Sequence, residues 1–393
     1  MLFLWGDMMK VKLGDIGVIL TGNTPKTSDE KNYISKDINF IKPSDIDEDK
    51  ITDISTSDYF ISELAKNDAR ILPVGSILVT CIGIIGKVGI NSIECAFNQQ
   101  INAIIPDTRK CNNKFLAYAI QFKKNELQQL ANAPVVPILN KTQFSNIQIC
   151  LPLIEEQNKV VANLDIINEI INKRQQQLKK LDELVKSRFI EMFGEPDKNT
   201  FNWSKEKLGE HLDVVNGFAF KSEGFTDIGI PVLRIGNINS GTFKATNMVF
   251  WPNDATLFRY KIYPGDLVIS LTGTVGKDDY GNVCILGTEY KEYYLNQRNA
   301  KLDIKNTINK YYLSQILKFN EIKNQLTGIS RGVRQANISI KDILSLSVPI
   351  PPIELQDKFA DFVKQTDKSK LEIQKSLDKL EILKKSLMQQ YFE

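Results

Sequence analysis

The segments Gly83-Ile84-Ile85-Gly86-Lys87 and Gly273-Thr274-Val275-Gly276-Lys277 are where the chain comes nearest to phosphate chemistry. A P-loop needs four residues between its glycines and Ser or Thr after the lysine, so that backbone amides wrap the phosphates. Two residues stand between these glycines, and Val88 or Asp278 follows the lysine, so neither segment is a P-loop. Gly83, Gly86 and Gly89 spell GxxGxxG, not the GxGxxG of dinucleotide sites. Asp45 with Glu48-Asp49-Lys50 has the carboxylates and lysine of a nuclease site. Its counterpart Asn237-Ile238-Asn239-Ser240-Gly241 keeps none of the acids, and a solvated loop explains the run better. His211 is the only histidine, which excludes a His pair or a HExxH helix. Five scattered cysteines (Cys81, Cys95, Cys111, Cys150, Cys284) contain no CxxC. They argue against a disulfide framework and a Cys/His zinc site, and for a reducing compartment. No Asn-Pro-Pro-aromatic motif, with which methyltransferases grip a flipped base, is present. The chemistry to expect is binding, with no catalytic residue, metal or cofactor in the chain.

Length and charge bound what kind of binder this is. The 393 residues exceed one ordinary core and suggest two or three domains. A formal charge of +3 excludes a polybasic tail but leaves room for a local basic groove. The start MLFLWGDMMK is too short for a signal peptide core and lacks a basic leader, and no window approaches 18 apolar residues. The chain reads as cytoplasmic, with no membrane partner.

The elements that position any site are written twice. Lys12-Leu13-Gly14-Asp15 recurs as Lys207-Leu208-Gly209-Glu210, followed by Thr21-Gly22 or Asn216-Gly217. Leu72-Pro73-Val74-Gly75-Ser76-Ile77-Leu78-Val79 recurs as Ile262-Tyr263-Pro264-Gly265-Asp266-Leu267-Val268-Ile269. Asn98-Gln99-Gln100 matches Asn296-Gln297-Arg298, and Pro152-Leu153-Ile154-Glu155-Glu156-Gln157 matches Pro351-Pro352-Ile353-Glu354-Leu355-Gln356. The same order at nearly constant offset means tandem copies. In each, β-branched runs alternate with turn signals, predicting strands at 76–80 and 266–270 and helices near 112–130 and 307–325. Each copy begins as a mixed α+β globule.

Each copy then changes character. Apolar residues fall at Val160, Leu164, Ile167, Ile171, Leu178, Leu181 and Val185, and again at Phe359, Val363, Ile373, Leu377, Leu380 and Leu387. Alternating spacings of four and three make a heptad seam, with Arg174 and Arg188 as polar interruptions in the first and Thr366, Lys370 and Lys384 at the remaining positions of the second. No Gly or Pro lies within 155–192 or 354–391. Each helix would run about 55 Å at about 1.5 Å per residue. One seam is the natural cover for the other, in an antiparallel pair about a pseudo-two-fold axis. The expected organisation is 1–153 and 195–352 as globular domains, with 154–194 and 353–393 as spacer and docking helices.

This layout resembles the specificity subunit of type I restriction-modification enzymes. The resemblance rests on the paired Lys-Leu-Gly-acid starts, the Gly-rich strand–turns at 75–87 and 265–277, and above all Leu151–Gln157 and Ile350–Gln356. The last two look like that family's Pro-Leu-Pro-Glu-Gln lead into its helices. Leu153-Ile154 replaces the usual Pro-Leu in the first, and Leu355 stands where Glu is common in the second. The apolar start before Met9 has no counterpart in the family, which leaves Met8 and Met9 as alternative starts. The resemblance implies an α+β fold of two similar target-recognition domains separated by two long antiparallel coiled-coil helices. Each domain would read half of a bipartite double-stranded DNA target. The helices would dock two methyltransferase subunits, which carry the AdoMet chemistry, and motor-nuclease restriction subunits would complete the complex. Helices of that length correspond to about one and a half turns of B-DNA at about 34 Å per turn.

If DNA is the ligand, Lys and Arg supply affinity through phosphates, and side chains at base edges supply specificity. Residues 1–150 hold 16 Lys+Arg against 16 Asp+Glu, and 201–350 hold 18 against 14, so any positive face is local. In the first domain the candidates are Lys26, Lys42, Lys87, Gln99, Gln100 and Lys141. In the second they are Lys221, Arg234, Lys277, Arg298, Arg331, Arg334 and Gln335. Arg331-Gly332-Val333-Arg334-Gln335 puts guanidiniums and an amide in one loop, and Arg to guanine or Gln to adenine are the efficient bidentate pairs. The rival reading is a coiled-coil scaffold with globular ends that does not touch DNA.

Overall fold

A computed structural model describes residues 10–131, 136–238, 240–274, 279–327 and 335–393, with backbone only at 335–336. The chain forms two compact units. One holds the residues up to Gln175 together with Lys375–Glu393, the other Gln176–Gln374.

In the first unit a five-stranded sheet runs in the order Gly17–Thr21, Ile101–Pro106, Ile77–Thr80, Val88–Asn91, Thr52–Ile54. Ile77–Thr80 is buried throughout, which is why its sequence is a continuous apolar run and not an alternating one. A second sheet runs Phe60–Ile61, Ile38–Ile41, Cys95–Phe97, Ile71–Leu72, with its two middle strands parallel. Lys10–Lys12 pairs with Gln148–Cys150, closing the domain just before its long helix.

The second unit repeats this plan. One sheet runs Leu212–Asn216, Asn299–Ile304, Leu267–Ser270, Val283–Ile285. The other runs Val249–Trp251, Ile230–Leu233, Tyr293–Leu295, Lys261–Ile262, again with a parallel middle pair. Lys205–Lys207 pairs with Ser347–Pro349. An added ribbon joins Thr272–Thr274 to Gln335–Asn337. The strand order is the same in the two copies except that the first adds Thr52–Ile54 at a sheet edge, which bears out the tandem reading. The predicted strands are present as Ile77–Thr80 and Leu267–Ser270. The predicted helices near 112–130 and 307–325 are each broken in two. Asn113–Phe122 gives way to Lys124–Leu130, and Lys310–Ile316 to Asn320–Thr327. Lys123 lies outside helical geometry at the first break.

The long helices are Ile154–Phe193 and Ile353–Phe392. Val160, Leu164, Ile167, Ile171, Val185, Phe359, Val363 and Leu377 are buried. Leu178, Leu181, Ile373, Leu380 and Leu387 are half-buried. The seam is therefore turned inward as expected. At the ends the heptad reading fails. After Val185 the buried residues are Phe189 and Phe193, each four further on, and not the heptad position Arg188. There the helix has joined the core of the second domain, and the period of about 3.6 residues that suits a globular face takes over. Phe189 stacks on Tyr312 at 5.3 Å and meets Phe319 at 5.1 Å. Within this unit the two helices run antiparallel. Phe193 lies 5.5 Å from Phe359, Arg188 is 5.9 Å from Phe362, and Asp182 pairs with Lys370 at 2.6 Å. In the first unit Met388 and Phe392 join the core that contains Val160 and Leu164. Phe392 sits 5.2 Å from Phe115 there, and Asn163 donates to the Tyr391 hydroxyl at 3.1 Å.

Candidate nucleic-acid interface

In each domain one strand of the parallel middle pair ends in a turn opened by asparagine. Cys95–Phe97 leads to Asn98-Gln99-Gln100, and Tyr293–Leu295 to Asn296-Gln297-Arg298. The Asn98 Oδ1 accepts from the Gln100 amide at 3.1 Å, and Asn296 Oδ1 accepts from Arg298 at 3.1 Å, the side-chain turn that asparagine favours. Asn98 Nδ2 also donates to Gln100 Oε1 at 2.9 Å. A glycine lies against each turn. A Cβ on Gly22 would fall 2.0 Å from Asn98 O, and one on Gly217 2.2 Å from Asn296 O. That contact gives the repeated Thr21-Gly22 and Asn216-Gly217 signal its physical reason. Backbone bonds hold the approach, Asn23 N to Phe97 O at 3.1 Å and Gln297 N to Phe218 O at 2.9 Å.

The other side of the turn is tied to a second segment. Cys81 donates to Gln100 O at 2.7 Å, and Leu139 to Cys81 O at 2.9 Å. In the second domain Leu271 donates to Arg298 O, and Ile338 to Leu271 O, both at 2.8 Å. Gln99 and Gln100 are thus brought beside the segment that ends in Lys141, the first residue of the helix Lys141–Ser145. Arg298 is brought beside the ribbon that carries the backbone of Gln335. Gln99, Lys141 and Arg298 are exposed. Gln99 accepts from the Thr24 hydroxyl at 2.5 Å, and exposed Lys26 follows two residues later. Where the turn of the second domain offers a guanidinium, that of the first offers amides and ammonium groups, the kinds of donors and acceptors that read base edges and phosphates. Its buried thiol is no nucleophile, because burial pushes Cys81 up to about 12.

The other candidates are placed differently. Lys42 stands 3.3 Å from the centre of the Tyr59 ring, and Lys87 donates to Pro43 O at 3.2 Å. Both cations are used near the loop at 45–50. The acids of that loop hold its backbone. Asp45 accepts from Lys42 N at 2.7 Å and from Ser57 Oγ at 3.1 Å. Asp47 accepts from Asp49 N at 2.9 Å, and that bond, helped by the Lys50 and Lys87 charges, holds its carboxyl below the usual range. Arg234 takes the place of Lys42 in the second domain. Its Nη2 donates to Asn247 O at 2.6 Å, while Nε is buried with no hydrogen-bond partner. Exposed Lys221 precedes the turn Ser222–Gly224. Lys277, Arg331 and Arg334 lie outside the described residues, as does the side chain of Gln335.

Two arginines beside these turns were not foreseen. Arg70 donates through its guanidinium to Thr21 O and through its backbone to Asn23 Oδ1 at 2.9 Å, which sets it at Gly22. Arg259 lies 4.5 Å from the centre of the Tyr260 ring, which is itself 5.2 Å from Phe218. The sequence signal is an arginine just upstream of the Pro–Gly turn in both copies, Arg70-Ile71-Leu72-Pro73 and Arg259-Tyr260-Lys261-Ile262-Tyr263-Pro264.

The family described as the type I restriction modification DNA specificity domain matches residues 6–180 and 201–383. The chain is 25% identical over 409 residues to the type I restriction enzyme MjaIX specificity subunit of Methanocaldococcus jannaschii, covering 97% of this chain and 91% of that one. It is 27% identical over 323 residues to the MjaVIII specificity subunit of the same organism, covering 77% and 73%. In fold it is similar to the S subunit of a type I restriction-modification system from M. genitalium, with a TM-score of 0.55 at 16% identity over 99% and 98% of the chains.

Proposed function

The chain belongs to the type I restriction-modification DNA specificity family as a non-catalytic specificity subunit, and on that premise we propose that each domain binds one half of a bipartite double-stranded DNA target. The observation that supports this most is the repeated turn, Asn98-Gln99-Gln100 with Arg70 and Asn296-Gln297-Arg298 with Arg259. The same backbone device recurs in both domains, while its outward side chains differ. Two such readers with different side chains would read two different half-sites.

The long helices would act as spacer and docking surface. Forty residues each give about 60 Å at about 1.5 Å per residue. Ile166, Leu184, Leu371 and Ile382 are 56%, 48%, 54% and 69% exposed. Apolar side chains so open to water on a helix favour burial against partner helices. Two methyltransferase subunits are the occupants we propose, with AdoMet held by them, and restriction subunits completing the assembly. No helix among the described residues is long and apolar enough to cross a membrane, and we assign the complex to the cytoplasm, where chromosomal DNA is reached. Electrophoretic retention of genomic fragments by the chain with its methyltransferase partner tests the proposal. Retention of a subset at low salt is expected. Failure to retain any duplex would favour the scaffold reading.

A further inference from the structure

The start of the second domain repeats that of the first with a change of chemistry. Lys10-Val11-Lys12-Leu13-Gly14-Asp15-Ile16 becomes Lys205-Glu206-Lys207-Leu208-Gly209-Glu210-His211. Ile16 is buried in the first core and Val11 packs against it. The matching positions of the second domain hold Glu206 and His211, whose side chain is 6% exposed. The fold accepts an apolar pair here, so a carboxylate and a buried imidazole are not demanded by packing. Desolvating them is a cost that needs an offset.

The geometry supplies one. The His211 Nδ1 lies 2.8 Å from Thr307 Oγ1, and Nε2 lies 2.9 Å from Glu206 Oε2. One ligand atom from each of Glu206, Glu210 and His211 falls within 4.8 Å of the others. Two donors about 2.1 Å from a common ion, at roughly 90° to 110°, stand roughly 3.0–3.4 Å apart. The Nε2–Oε2 spacing is close to that. A hydrogen bond on the far nitrogen fixes the ring of a ligating histidine, and the Thr307 hydroxyl is placed to make it. Charge agrees as well. Two carboxylates beside a neutral imidazole sum to minus two, which a divalent cation balances and a protonated histidine only halves. The Lys305 ammonium is turned to Gly209 O at 3.5 Å and Asp213 at 3.8 Å.

We propose that Glu206, Glu210 and His211 bind one divalent transition-metal ion, zinc being the best match to one nitrogen and two oxygen donors. The ion joins the strand residue Glu206 to Glu210 and His211 of the helix that follows, and the His211 ring carries the link on to Thr307 by its hydrogen bond. The first domain has Val11 and Ile16 at the matching positions, and no such cluster is found among its described residues. The alternative is a plain Glu206–His211 ion pair.

Calorimetric titration of the full chain, stripped with a chelator, with zinc sulfate separates the two. One site is expected, with X-ray absorption at the zinc edge showing nitrogen and oxygen neighbours and no sulfur. Glu210→Gln should weaken it at least about tenfold. Glu210 is exposed, so this variant keeps the domain folded. Thr307→Val should weaken it about 10- to 100-fold, the usual effect of losing a support of this kind. No stoichiometric binding, equal affinity in wild type and Glu210→Gln, or sulfur around the zinc would overturn the proposal.

Discussion

The Gln157 side chain accepts the backbone amide of Asn112 at 2.8 Å, and the same bond joins Gln356 to Asn309 at 2.8 Å in the second domain. Both glutamines are fully buried. Gln157 Nε2 donates to Lys110 O at 3.0 Å and to Pro152 O at 2.8 Å, and Gln356 Nε2 to Pro351 O at 2.7 Å. One amide therefore pins the start of each long helix to the cap of the domain helix beside it. That is the physical content of the repeated Pro-x-x-Glu-x-Gln pattern.

Gln157→Ala leaves a buried amide and carbonyls without partners. The cost expected is about 1–3 kcal/mol for each orphaned group. Thermal unfolding with hydrogen exchange at 110–122 checks it. Protection should fall there and stay unchanged at 307–316, where Gln356→Ala should show the converse.

Phe189→Ala opens a hole among Tyr312, Phe319, Phe193 and Phe359, and about 3–5 kcal/mol should be lost. Deleting Tyr391–Glu393 removes Phe392 from its contacts with Phe115 and Phe122 in the first domain. Denaturation monitored by exchange would place each loss in its own domain.

Gly22→Ala and Gly217→Ala each force a Cβ into a backbone atom of the Asn98 or Asn296 turn, which we propose reads DNA. Each should abolish recognition of one half-site while leaving the other readable. Methylation assays on targets mutated in one half at a time distinguish the two variants.

The thiols of Cys95, Cys111 and Cys284, like that of Cys81, are pushed up to about 12 by burial. A pKa raised on folding adds stability that is complete below the unfolded thiol's value of about 8.5 and is lost as pH rises through 12. Urea midpoints should therefore fall across that alkaline window. At pH 8 an aromatic disulfide reagent should leave these thiols unmodified until the chain unfolds.

Much of the fold is legible because its signals are local. The Pro–Gly strand starts, the Asn98 and Asn296 turns and the heptad seams are each written within a few residues and then written again. The helix ends were not legible. Phe189 and Phe193 belong to a domain core that forms only in three dimensions, and a seam template passes over them at Arg188. Arg70 and Arg259 escaped for a related reason. Their link to Gly22 or to Phe218 crosses tens of residues, so a linear reading sees an ordinary surface charge. Lys42 and Lys87 read in the sequence as candidate DNA contacts, and only the folded chain shows their neighbours, the Tyr59 ring and the Pro43 carbonyl.

Arg298→Ala and Arg70→Ala test directly whether the proposed turns read DNA. A base contact should lose about 1–3 kcal/mol of discrimination at one position, whereas a phosphate contact should weaken all duplexes and lower the salt slope by about one.

Methylome sequencing of cells with and without this gene, partner subunits retained, tests the account most directly. Methylation should vanish at one adenine motif made of two short specified tracts separated by a fixed run of unspecified base pairs. A methylome that is the same in both strains would contradict it.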